Sequence, residues 1–80
     1  MSAQDIISKL KEVMGDYTTI DLSKLNEDMS LKGDIGVDSF GTISMLCNIE
    51  ETFDISIPDY ECSNFLTVGD IVNYIQNEIA

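Results

Sequence analysis

The 80-residue sequence has no histidine, no arginine and no tryptophan. Without histidine, neither a Ser-His-Asp nor a Cys-His catalytic arrangement can be built. Without arginine, four lysines are the whole basic complement, set against fifteen acids for a net charge of −11. Nucleic acid needs cations at its phosphates, so this chain is excluded as a nucleic-acid binder. An anionic membrane surface should repel it. Its two cysteines, Cys47 and Cys62, form no C-x-x-C unit, and with no histidine they are too few for an ordinary zinc site. Cys62 reads as a small buried hydrophobe. No apolar run approaches the ~18 residues of a membrane span, and no positively charged apolar leader stands at the start. A soluble protein of the reducing cytoplasm, monomeric and not inserted in a membrane, is expected. There is no G-x-x-x-x-G-K-[ST] run, and the acids from Asp28 to Asp38 do not match a calcium-loop spacing. No catalytic set and no metal set is expected.

What is present is helical periodicity within one 80-residue domain. Ser2 can cap a first helix whose apolar face is Ile6, Ile7, Leu10, Val13 and Met14, with Gly15 as the stop. A long connection follows from Asp16 to Val37. It carries enough apolar residues, Ile20 to Ile35, to be pinned across a core, with a short helical turn over Leu22 to Glu27. The second helix is predicted over Ser39 to Thr52, with a core stripe of Ile43, Leu46, Ile49 and Phe53 and Met45 at its border. Phe40 and Cys47 fall on another side, with Ser44 and Glu51, as a candidate partner face. Gly41, a poor helix former, is predicted to leave room for a close approach near Ser39. Pro58 precedes a short helix over Asp59 to Phe65. Thr67-Val68-Gly69-Asp70 reads as a capping box opening a last helix, whose face is Val68, Ile71, Val72, Ile75 and Ile79. The fold class that follows is all-α, three principal helices plus one short one, with a long loop between helices 1 and 2.

Ser39 stands where that loop becomes a helix, at an expected N-cap. A helix start carries free N–H groups and about half a positive charge, and so tolerates a phosphate. Its hydroxyl is a candidate anchor for a phosphodiester; the alternative is that Asp38-Ser39 only caps the helix. No lysine is near it in sequence and no histidine exists, so Ser39 has no intrinsic activation, and another enzyme would have to modify it.

Gly36-Val37-Asp38-Ser39-Phe40 resembles the modification motif of acyl carrier proteins: a Gly, a variable residue, then Asp-Ser-Leu. Ile49-Glu50-Glu51 with Phe53-Asp54-Ile55-Ser56-Ile57-Pro58 is similar to the end of that family's second helix and the turn after it. Thr67-Val68-Gly69-Asp70-Ile71 is similar to the start of its last helix. The spacing fits without a gap from Gly36 onward, so the likeness spans essentially the whole chain. The resemblance implies an acyl-carrier bundle in which Ser39 receives 4′-phosphopantetheine from coenzyme A, through a separate phosphopantetheinyl transferase. The arm's thiol then carries acyl or aminoacyl cargo as a thioester, and the carrier catalyses nothing. It further implies that Asp38 helps the transferase and its metal engage. Phe40, Cys47, Glu50 and Glu51 would face partner enzymes with basic docking patches, and the crevice between helices 2 and 3 would shelter cargo. Phe40 departs from the usual Leu, and Gly41 and Ser44 stand where fatty-acid carriers place acids. Asp38-Ser39-Phe40-Gly41-Thr42 is also similar to D-alanyl carrier proteins, whose tryptophan before the last helix is missing here. A different class, an unmodified acidic module binding a basic partner, remains the competing reading.

Overall fold

Each long helix is delimited by residues that satisfy its loose backbone ends. In the computed structural model, which describes residues 2–79, helix α1 spans Ala3–Met14, α2 Ser39–Phe53, α3 Asp59–Cys62 and α4 Val68–Ile79. A single 3₁₀ turn, Leu22–Lys24, and a π-turn, Leu31–Ile35, lie in the long connection. The described residues hold no β-strand, only an isolated antiparallel bridge between Ser30 and Thr67. The all-α expectation of three principal helices and one short one therefore holds.

Ser2 caps α1 as expected. Its hydroxyl accepts from the Asp5 N–H at 3.2 Å while the Asp5 carboxylate accepts from the Ser2 N–H at 3.3 Å. Gly15 ends α1 in right-handed geometry rather than as a left-handed stop; a Cβ there would touch Leu22 at 3.5 Å, so the chain turns tightly across it. The buried stripe Ile6, Leu10 and Met14 packs α1 against both α2 and α4. α4 contributes Val68, Ile71, Val72 and Ile75, none more than 1% exposed. Burying one such aliphatic side chain is worth about 1.5–3 kcal/mol, so this shared core carries most of the fold's stability.

The face of α2 is rotated from the expected one. Ile43, predicted for the core, is 54% exposed, whereas Met45, predicted for the border, is fully buried. The inward arc is Thr42, Met45, Leu46, Ile49 and Phe53. Those five follow i, i+3, i+4, i+7 and i+11, one continuous stripe. Periodicity alone admits either arc because α2 is apolar over more than half its turn. The placement of α1 and α4 decides it. The one buried polar group of the stripe is satisfied, since Thr42 Oγ1 donates to the Asp38 carbonyl at 2.8 Å.

The long connection is pinned across the core as expected, by Leu25, Leu31, Ile35 and Val37, all buried. The turn predicted over Leu22 to Glu27 is the shorter Leu22–Lys24, capped by the Asp21 carboxylate accepting from the Ser23 N–H at 3.1 Å. At the π-turn, Ser30 Oγ accepts from the N–H groups of Gly33 and Asp34, and the Asp34 carboxylate accepts from the Ser30 N–H at 2.9 Å. Gly36 then leaves the turn at φ 82°, a left-handed geometry that suits glycine. Backbone bonds seam this loop to the start of α4: Leu31 N–H to Leu66 O, Val68 N–H to Met29 O and Gly69 N–H to Glu27 O, each 2.9 Å.

The short helix ends three residues earlier than predicted, at Cys62 instead of Phe65. No side chain caps its start, and Asn64 N–H closes a turn onto Glu61 O that ends it.

Candidate functional site

A crevice of about 500 Å³ opens between α2, α3 and the π-turn, and Ser39 lies on its wall. Three separated stretches build it: Ser30 to Gly33, Ser39 to Ile43, and Asp59 to Leu66. Its volume is that of a small-molecule pocket. Two large apolar side chains of its lining face solvent, Leu66 at 68% and Ile43 at 54%, and two more, Phe40 at 84% and Tyr60 at 75%, are exposed next in sequence to the lining residues Ser39 and Asp59. Exposed apolar side chains at a crevice are a common mark of a ligand or partner surface.

At the start of α2 the structure separates two roles that the sequence had merged. Asp38, not Ser39, is the N-cap. Its backbone is extended and its Oδ1 accepts from the Gly41 N–H at 2.7 Å. Ser39 is the first helical residue, exposed, and its hydroxyl is free of capping duty. The N–H groups of Ser39 and Phe40 have no acceptor within the helix. An exposed hydroxyl over two such donors, on the lip of a largely apolar crevice, suits a tethered phosphodiester with a long organic arm. Gly41 does leave room, as expected, and what occupies it is the cap: a Cβ at Gly41 would lie 3.2 Å from Asp38 Oδ1.

The expected partner-face residues fall in different settings. Phe40, Cys47 and Glu51 are exposed on the outer side of α2. Glu50 is half-buried and one of its carboxylate oxygens accepts from the Ile57 N–H at 2.9 Å, holding the turn after α2. Cys62, expected in the core, is instead half-buried on the crevice wall, because α3 is too short and too peripheral to bring it inward. Loss of water around that thiol, then the carboxylates of Asp59 and Glu50, push its pKa up, which makes it a poor nucleophile at neutral pH.

Sequence reasoning missed the tie between the loop and α2. Tyr17 O–H lies 3.3 Å from Ser44 Oγ and 3.4 Å from Ser44 O, and Asn48 Nδ2 donates to the same phenol oxygen. Nothing local marks Tyr17 and Ser44 as neighbours, 27 residues apart. Among the described residues there is no group of three or more candidate metal ligands, and no helix is long and apolar enough to cross a membrane.

The family model described as a phosphopantetheine attachment site matches residues 8–75. Among solved structures, one titled "Novel Structural Components Contribute to the High Thermal Stability of Acyl Carrier Protein from Enterococcus faecalis" matches with a TM-score of 0.80. It is 22% identical and the match covers 98% of this chain and 99% of that one. At that identity the likeness speaks for the fold.

Proposed function

Because this chain belongs to the family defined by a phosphopantetheine attachment site, we propose that Ser39 is the residue to which the 4′-phosphopantetheine arm is joined. The protein is a phosphopantetheine carrier, and members of its family are generally non-catalytic. The observation that carries the assignment to Ser39 is the division of labour at the start of α2. Asp38 takes the cap, which leaves the Ser39 hydroxyl exposed on the crevice wall. When attached, the arm supplies a thiol that holds cargo as a thioester. This chain contributes the hydroxyl, the two open N–H groups beneath it and an apolar recess beside it. Deprotonating the hydroxyl falls to the transferase, since the chain has no histidine to do it. The test is direct: incubate the protein with coenzyme A and a broad-specificity phosphopantetheinyl transferase, then weigh it intact. The wild type should gain one phosphopantetheine and Ser39→Ala none; a wild type that gains nothing with several transferases returns the chain to the unmodified-module reading.

The finer reading is a cytoplasmic carrier of acyl or aminoacyl cargo in a specialised pathway rather than general fatty-acid synthesis. Its support lies on α2. The two positions where fatty-acid carriers resemble one another in bearing acids are here used structurally. Gly41 accommodates the Asp38 cap, and Ser44 meets Tyr17. The exposed surface of α2 is thereby neutral around Phe40 and Cys47 and around Ile43 on the crevice side, with Glu51 toward the far end. Partners should therefore dock through apolar fit more than through charge steering. With a general fatty-acid ketosynthase, Ser44→Glu should raise kcat/KM a few-fold at low salt. Equal use of wild type and variant at every salt concentration would remove the specialised reading.

A further inference from the structure

Lys32 is the one cation lining the crevice that holds Ser39. Resting on the carrier reading above, we infer that its ammonium is a positioning group for an anion at the crevice mouth, the phosphodiester that would join the arm to Ser39. The start of α2 already carries one negative charge. Asp38 stands there as the cap, its carboxylate committed to the Gly41 N–H, in a chain of net charge −11. A phosphodiester on Ser39 adds a second anion beside it. The open N–H donors of α2 offset part of the repulsion, and a mobile cation on the facing wall offsets more.

Lys32 is built to be free for this. It sits on the π-turn Leu31–Ile35, whose hydrogen bonds run through Ser30 and Asp34 and leave its side chain out. It is exposed, on a flexible four-carbon stem. Asp59, the acid on the opposite wall, belongs to α3 and not to the start of α2. An anionic oxygen here has two sources, the phosphodiester or a carboxylate on the cargo. The phosphodiester is favoured because it is fixed at Ser39 itself, whereas a cargo carboxylate rides at the end of a long arm.

The experiment compares wild type, Lys32→Gln and Lys32→Glu, each as apo protein and as holo protein verified by intact mass. The readout is the holo-minus-apo difference in Tm, which cancels any general effect of the substitution on folding. At low salt that difference should be more negative in Lys32→Glu than in wild type by roughly 2–5 °C, with Lys32→Gln between and the spread narrowing in high salt. Equal differences in all three proteins, each fully loaded, overturn the inference and leave the carrier reading standing. A wild type that takes up no arm overturns both. Loading succinyl and butyryl arms separates the sources: a Lys32 effect that appears only with succinyl assigns the cation to a cargo carboxylate and overturns the phosphodiester assignment.

Discussion

Two helix starts in this molecule are built from similar residues and finished differently. At α4, the Thr67 N–H is held by the Asp70 carboxylate, the Asp70 N–H by Thr67 Oγ1, and the Val68 and Gly69 N–H groups by carbonyls of the long loop. Every donor of that terminus has an acceptor within the chain. At α2, Asp38 reaches only the Gly41 N–H, and the next two donors back, Phe40 and Ser39, have no acceptor within the helix. A helix start costs free energy when its donors are buried without acceptors, so the α2 start must stay wet or meet an acceptor from outside. The difference also extends to the side chains. α4 buries its apolar residues in one stripe, while α2 fills the same core and still shows Phe40 and Ile43 to solvent. One helix start is closed by the chain's own acceptors and the other leaves two donors open.

The strongest way to break the comparison is to open the sealed end. A Cβ on Gly69 would lie 3.0 Å from the Glu27 carbonyl oxygen and 3.2 Å from Glu27 Cβ, both across the seam. Backbone cannot swing aside as a flexible side chain does, so the seam must part or α4 must shift. Gly69→Ala should therefore cost about 1–3 kcal/mol despite the better helix propensity of alanine. Urea unfolding followed by circular dichroism measures this. A variant as stable as wild type would mean that the seam contributes nothing and that the two starts are energetically alike.

How much of this was legible in the sequence varies with the range of the interaction. The cap at Ser2 and the capping box at Thr67 were readable because in each the partners lie three residues apart in sequence. So was the buried face of α4, a single stripe. Ile43 and Met45 exchanged roles because the choice of arc rests on where α1 and α4 sit. The crevice was implied only by resemblance, since its walls come from three stretches spread over residues 30–66. Lys32 carried no local signal of lining one crevice with Ser39, and Tyr17 none of meeting Ser44. Ser39 was singled out by its motif, but the assignment of the cap to Ser39 was off by one residue, because Asp and Ser are equally good caps and adjacent.

That one-residue difference provides the smallest and most discriminating effect. If Asp38 is the cap, Asp38→Ala leaves the Gly41 N–H unheld and should cost about 1 kcal/mol, which for a domain of this size lowers Tm by roughly 4–8 °C. Ser39→Ala removes a hydroxyl that caps nothing and replaces it with the best helix former at a position where helical geometry is already in place. Its Tm should stay within about 2–3 °C of wild type, as for surface substitutions away from special features. The apo forms must be compared, so that loss of the arm does not enter. An unmodified module that uses Ser39 as its cap requires the opposite order, with Ser39→Ala the more damaging of the two. A small effect of Ser39→Ala beside a larger one of Asp38→Ala would assign the cap to Asp38 and leave the Ser39 hydroxyl without a structural duty, as the proposed attachment of the arm requires.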